Sequence, residues 1–128
     1  MEISKFLKMA FLIDALVALV YGLVLIIIPE QHMAFFGYPF EAFADMFTGG
    51  LMVAFGVGNV FAYRASLWEN VEIVVYMNIA FNLFGSIIML YSMAVGLIPI
   101  MGFAQIGLMM FLFILFIYAY YEAKMKKT

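Results

Sequence analysis

The side chains of this chain that could do chemistry are few, and most lie inside long apolar stretches. Asp14 is a carboxylate flanked on both sides by aliphatic and aromatic residues, and amide or hydroxyl side chains lie in similar surroundings at Asn59, Asn78, Asn82 and Ser86. On a helix Asn78, Asn82 and Ser86 would share one face, because residues four apart lie above one another. An isolated carboxylate is costly in an apolar medium, so we expect Asp14 to have a hydrogen-bond donor.

Three interpretations of this polar set are open. In the first, Asp14 and the asparagines hydrogen-bond one another and fix the register of packed helices. In the second, they form a path for a proton, an ion or a small polar solute, since an ionisable group inside a membrane is by default a functional candidate. In the third, Asp14 recognises a charge on a partner subunit. Gln105 lies by itself, apart from this set.

The composition excludes most metal and cofactor chemistry within this chain. There is no Cys and a single His, His32, which excludes iron–sulfur clusters, zinc sites with Cys ligands and a haem held by two His ligands of this chain. His32, followed by Glu41 and Asp45, is the one candidate metal ligand, and a solvated loop is the simpler interpretation. We identify no catalytic residue, so an enzyme is the least favoured class.

The apolar stretches themselves indicate the elements that must position these residues. Hydrophobic residues make up 69% of the 128 residues and charged residues 11%, against about 45–50% and about 25% in soluble domains. A soluble enzyme, a disordered chain and a nucleic-acid-binding protein are therefore excluded. Four stretches reach the roughly 20 residues that cross a bilayer as a helix, at about 6–28, 44–63, 71–95 and 100–121. We predict one all-α domain over 1–128, an integral membrane four-helix bundle that crosses the cell membrane repeatedly.

The basic residues predict the orientation of these spans. With four spans, all six basic residues fall on one side, namely Lys5, Lys8, Arg64, Lys124, Lys126 and Lys127. By the positive-inside rule both termini are cytoplasmic. Trp68 fits the inner membrane interface, where Trp is enriched. The aromatic outer loop, about 29–43, is expected to lie along the outer membrane surface, with a short helix near 41–47.

Small residues in the second span predict close helix packing. Four of them recur every fourth position and form one ridge, and two further glycines lie on another side of the same helix. They are Gly50, Ala54, Gly58 and Ala62, and Gly49 and Gly56. Helices in membranes associate through such close backbone approach, so we expect this span at the centre of the bundle. Contact within the chain is the favoured use of the ridge, and a homodimer or partner interface is the alternative.

The order of several landmarks resembles a known pattern. Gly22 and Pro29 close the first span, Gly37-Tyr38-Pro39 forms a short Gly-x-Pro loop, and Gly49-Gly50 with Gly56 lies in a glycine-rich second span. Over roughly residues 16–62 the chain resembles a loose group of small prokaryotic four-span membrane proteins of unknown function. The resemblance implies architecture only.

Three functions remain as hypotheses. The favoured one is a non-catalytic accessory or assembly subunit of a larger membrane complex, with the bilayer and other membrane subunits, or further copies of the chain, as partners. The second is a small proton, ion or polar-solute transporter or channel, acting as a homo-oligomer through Asp14, Asn59, Asn78 and Asn82. The third is a lipid- or quinone-binding protein that uses the aromatic outer loop and the amides of the third span.

Overall fold

The structure, a computed structural model, describes residues 1–126 and contains five α-helices within them. These are α1 (Lys5–Ile27), α2 (Pro29–Phe36), α3 (Ala42–Arg64), α4 (Glu72–Ala94) and α5 (Gly102–Lys126), with a single 3-10 turn at Trp68–Asn70. Helices α1, α3, α4 and α5 are each long and apolar enough to cross a membrane. This confirms the prediction of an all-helical chain with four such helices. Lys127, counted above among the basic residues, lies outside the described part.

The loop between the first two spans contains a short helix, α2, which lies earlier in the chain than predicted. Pro29 occupies its first turn, where a missing N–H costs nothing, and Gly37 ends it in the left-handed conformation with φ of 73°. The prediction of a short helix near 41–47 was wrong, because residues 42–47 belong to α3. The Glu41 side chain accepts a hydrogen bond from the backbone N–H of Ala44 and so caps the start of α3.

The four long helices follow one another around the molecule in the order α3, α1, α5, α4. Helix α1 packs along α3 over most of its length and touches α5, and α4 packs along α5. Helices α3 and α4 approach each other at few places. One of these is the contact of the Phe55 and Phe81 rings, whose centroids lie 4.8 Å apart. The helices therefore form two close pairs with a looser seam between α3 and α4.

The contact between α1 and α3 depends on three glycines. A Cβ atom on Gly22 would lie 2.7 Å from the carbonyl oxygen of Gly49, and one on Gly49 would lie 2.7 Å from that of Gly22. A Cβ atom on Gly56 would lie 2.6 Å from the Leu19 side chain. These distances leave no room for a side chain, so the two backbones touch directly, as at other membrane helix contacts.

The four small residues that were predicted to form one packing ridge on α3 do not all face a neighbouring helix. A Cβ atom on Gly50 or on Gly58 would have no atom of another element within 4 Å, and Ala54 is exposed. Ala62 is buried in the apolar core. The expectation that α3 is the central helix was wrong: eight residues of α1 are buried, against four of α3. The wide face of α3 that carries Gly50 points away from its neighbours.

The two termini of the described chain lie at the same end of the molecule, which we call the terminal end. The N-terminal ammonium lies 3.1 Å from Glu69 in the connection between α3 and α4, and Lys124 near the end of α5 lies 3.4 Å from Glu72. Trp68 is fully buried there, beneath residues 1–3, and its backbone N–H donates to the carbonyl of Met1 at 2.8 Å. Trp68 therefore packs in the core rather than at the surface. The opposite end, covered by α2, is the α2 end.

Candidate functional site

A cavity of about 260 Å³ lies between the two helix pairs. All four long helices and α2, together with Tyr38 from the loop after α2, contribute to its lining. Its walls are mainly apolar and include four methionines, and the wall residues are Val17, Ala18, Leu25, Met33, Thr48, Met52, Phe55, Phe81, Met89, Leu108, Met109 and Leu112. Polar side chains are concentrated at its two ends. This is the usual build of a small-molecule site, with apolar walls and a few placed polar groups.

The polar end nearer the terminal end is the amide cluster, Asp14, Asn59 and Asn78, to which α1, α3 and α4 contribute one residue each. The Asn78 amide donates to Asn59 Oδ1 at 2.6 Å, and the Asn59 amide donates to Asn78 Oδ1 at 3.3 Å. The Asn59 amide also lies 3.4 Å from Asp14 Oδ2. All three side chains are buried. The structure thus brings together three residues that the sequence places in three different spans.

Asn82 and Ser86 continue the polar face of α4 but make different contacts. The Asn82 amide donates to the carbonyl of Asn78 at 2.8 Å, and the Ser86 hydroxyl donates to the carbonyl of Asn82 at 2.7 Å. Both bonds stay within α4. Asn82 lines the cavity, whereas Ser86 and Asn59 lie outside its lining. Of the predicted polar set, Asp14, Asn78 and Asn82 therefore face the cavity.

The burial pattern of α4 explains why these groups point inward. Its buried residues are Val75, Asn78, Asn82 and Ser86, while large apolar side chains on its other faces, such as Phe84 and Ile88, are exposed. In a soluble protein the polar face would be outside. A bilayer reverses this preference, because lipid solvates the apolar face and the amides must find partners inside.

The other polar end is a network of three residues, the tyrosine network, made by Tyr21, Tyr38 and Gln105. The Gln105 amide donates to the Tyr21 hydroxyl at 2.6 Å, and the Tyr38 hydroxyl donates to Gln105 Oε1 at 2.8 Å. It ties α1, α5 and the loop after α2 together. Burial raises the pKa of Tyr38, and the neighbouring Tyr21 raises it further, so its hydroxyl remains a donor.

Sequence reasoning missed this network, since Gln105 stands alone in its span when the chain is read linearly. One signal was present: Tyr21 lies seven residues after Asp14, which places both on one face of α1. Nothing comparable links Tyr38 to Gln105, because their contact depends on how the loop after α2 folds back. The same seven residues put the two polar ends roughly 10 Å apart, at about 1.5 Å of rise per residue.

His32 lies beside the tyrosine network and lines the cavity. Its ring packs edge-on against Tyr21, with centroids 5.1 Å apart, and lies tilted against Phe36, with centroids 5.0 Å apart. Both ring nitrogens are buried, and neither has a hydrogen-bond partner within residues 1–126. Burial lowers the pKa of His32, while the charge of Asp45 acts in the opposite direction. The neutral imidazole offers one unused donor and one unused acceptor.

The described residues do not assemble a metal site around His32. No group of three or more His, Asp or Glu side chains within 1–126 converges on one point. The two acidic neighbours that suggested a site have other contacts, since Asp45 accepts the backbone N–H of Glu41 at 2.9 Å and Glu41 caps α3.

Comparison of the chain with models of protein families, with curated proteins and with solved structures finds no match. The cavity and its lining are therefore the basis for inferring a function.

Proposed function

We propose that this protein is a multi-pass membrane protein that binds a small, uncharged, mainly apolar molecule of the lipid or quinone class in its internal cavity. The observation that carries the proposal is the cavity itself, with apolar walls and hydrogen-bonding groups at both ends. A cavity of about 150 Å³ holds benzene. By that scale 260 Å³ accommodates a group of about ten non-hydrogen atoms, the size of a substituted ring.

The charges around the cavity support an uncharged ligand. Neither Lys nor Arg is among the lining residues, and Asp14 is the one acidic residue there. Asp14 Oδ1 has no hydrogen-bond partner in the described chain. A phosphate or carboxylate group would find no cation in this lining to offset its charge, and an unpaired charge is costly in an apolar site. A ring carrying carbonyl or hydroxyl groups avoids this cost.

Binding fits the geometry better than passage of a solute does. Between the amide cluster and the terminal end lies an apolar core that includes Phe11, Trp68 and Phe116, each fully buried. A polar solute leaving the cavity in that direction would have to cross this core. The transport hypothesis still has a direct test, replacement of Asp14 by Asn, which retains the size and the acceptor oxygen. The parent protein and the variant are compared in liposomes for passage of protons or solutes. Transport is favoured if the parent protein allows passage and the variant folds normally but does not.

Ligand binding is tested with a chain-free dimethyl-benzoquinone as the probe and the protein in lipid nanodiscs. Val17 lines the cavity, so Val17→Phe fills part of it and should weaken binding by about tenfold or more. Val20 lies one turn further along α1 and is 59% exposed, so Val20→Phe is the matched control and should leave affinity unchanged. Equilibrium dialysis measures both. Absence of saturable binding to the parent protein, or equal affinity in both variants, would contradict the proposal.

The accessory-subunit hypothesis remains a prediction. Extraction of the native membrane with a mild detergent, followed by identification of co-migrating proteins, tests it directly. A stable partner would support the subunit role, while a protein that migrates alone or as a homo-oligomer would contradict it.

A further inference from the structure

The seam between α3 and α4 is closed near the terminal end and loosely closed towards the α2 end. The hydrogen bonds between Asn59 and Asn78 join the two helices in the half nearer the terminal end, and the ring contact of Phe55 and Phe81 joins them at about mid-length. Within residues 1–126, no further side-chain hydrogen bond or ring contact joins α3 to α4 between this level and the α2 end. The Phe55–Phe81 pair therefore bounds an opening in the seam on the side of the terminal end.

The exposure of the lining residues places this opening on the surface. Among the described residues that line the cavity, Thr48 and Phe81 are more exposed than all the others, and Phe81 is 40% exposed. Thr48 belongs to α3 and Phe81 to α4, so they flank the seam from opposite sides. Met52 and Met89 also line the cavity on these two helices, and flexible methionine side chains readily move aside.

The depth of the opening shows what it faces. Thr48 lies six residues after Ala42, where α3 begins, which is roughly 9 Å along the helix axis. With α3 spanning the bilayer, this level lies within the hydrocarbon, whose core is about 30 Å thick. The seam thus connects the cavity to lipid in the half of the membrane nearer the α2 end.

We infer that the ligand reaches the cavity sideways from the hydrocarbon, through the seam between Thr48 and Phe81, and that it is a chain-bearing molecule. This inference rests on the proposed binding function. The cavity accommodates only about ten non-hydrogen atoms, so a ring with an isoprenoid or alkyl chain fits if the ring enters and the chain lies out along the seam. Polar groups on the ring meet the amide cluster or the tyrosine network with His32. The predicted class is a quinone with a long apolar chain.

The experiment compares two probes, the chain-free benzoquinone and its decyl derivative, on the protein in nanodiscs. Thr48→Trp narrows the seam in which the chain would lie, so affinity for the decyl probe should fall by about tenfold more than affinity for the chain-free probe. Leu51 lies on the same helix, is 50% exposed and does not line the cavity, so Leu51→Trp is the matched control. Thr48→Val, of similar size to Thr, should leave the ratio of the two affinities as it is in the parent protein, and thermal unfolding checks that all variants fold.

The outcomes separate this inference from the binding function. If Thr48→Trp weakens both probes equally, or affects the decyl probe no more than Leu51→Trp does, the seam is not the access route although the cavity still binds its ligand. If decyl phosphate competes with the decyl quinone for the parent protein, the uncharged class is wrong. If neither quinone binds to the parent protein, the proposed function fails and this inference fails with it.

Discussion

At the scale of single residues, Asn59 holds the amide cluster together. Its amide nitrogen lies within hydrogen-bonding distance of Asp14 Oδ2, of Asn78 Oδ1 and of the carbonyl of Phe55, and its carbonyl oxygen accepts from Asn78. It is the only one of the three whose side chain contacts both of the others, and it does not line the cavity. Its role is therefore to position Asp14 and Asn78 rather than to meet a ligand.

Replacement of Asn59 by Leu should destabilise the protein by about 1–3 kcal/mol, because Asp14 and Asn78 are left buried with unsatisfied groups. The double variant Asn59→Leu with Asn78→Leu should cost less than the sum of the two single variants, since the second change removes a group that the first leaves unpaired. Unfolding in mixed micelles, with exposed Val60→Leu as the control, measures this. Additive losses would mean that the two amides do not interact.

His32 should make stability depend on pH. Burial lowers the pKa of His32 below its ordinary value of 6.5, so the unfolded chain binds the proton more readily than the folded chain. Stability is then complete above that ordinary value and declines as the pH falls towards the pKa in the folded state.

Between about pH 8 and pH 5, the range in which histidine commonly titrates, the melting temperature of the parent protein should fall. The fall should be smaller in His32→Gln, which keeps a polar side chain that does not titrate. Thermal unfolding at the two pH values compares them. An identical pH dependence in both proteins would assign the effect to the carboxylates.

At the scale of elements, the glycines of α1 and α3 divide into those that set the helix distance and those that do not. Gly22, Gly49 and Gly56 face the partner helix at distances too short for a Cβ atom, whereas Gly50 and Gly58 face open space. Spacing by four residues identifies a ridge but not its partner. Burial against α1 selects the side of α3 that carries Gly49 and Gly56.

Gly49→Ala should therefore separate α1 from α3 and destabilise the protein by about 1–3 kcal/mol, as overpacking does elsewhere. Gly50→Ala, at the adjacent position of the same helix, should be neutral or stabilise by up to about 1 kcal/mol, because Ala is the better helix former. Resistance to unfolding in mixed micelles distinguishes them. A loss of stability in Gly50→Ala comparable to that in Gly49→Ala would show that the outward face of α3 is also packed.

At the scale of the whole molecule, the contacts at the terminal end bring the basic residues of the described chain into one region. Lys5 and Lys8 begin α1, Arg64 ends α3, and Lys124 and Lys126 end α5. We propose that this end is cytoplasmic, because basic residues near span ends are retained on that side. The α2 end, with its aromatic loop, then faces the outside.

Single cysteines introduced into this cysteine-free chain test the orientation. Ser66→Cys, in the connection between α3 and α4, should be protected from a membrane-impermeant maleimide in intact cells and labelled after permeabilisation. Pro39→Cys, in the loop after α2, should be labelled in intact cells. The reverse pattern would place the termini outside and contradict the positive-inside prediction.

The sequence by itself determined the number, type and approximate bounds of the four long helices. It did so because the length and apolar character of a span are local properties of the chain. It also identified Asp14, Asn59 and Asn78 as polar groups inside three different spans. The structure brings these side chains within hydrogen-bonding distance of one another, and the hypothesis that they fix the register of the helices stays a prediction.

Only the tertiary structure decided which faces meet. The tyrosine network, the placement of His32, the burial of Trp68, the inward side of α3 and the seam that flanks the cavity all depend on the rotation of each helix about its axis and on the path of the loop after α2. These follow from contacts between residues far apart in the chain, such as Tyr38 and Gln105 or Gly22 and Gly49. In a span that is apolar on nearly every side, hydrophobicity gives little information about the inward face. Close packing and the pairing of a few polar groups select it instead.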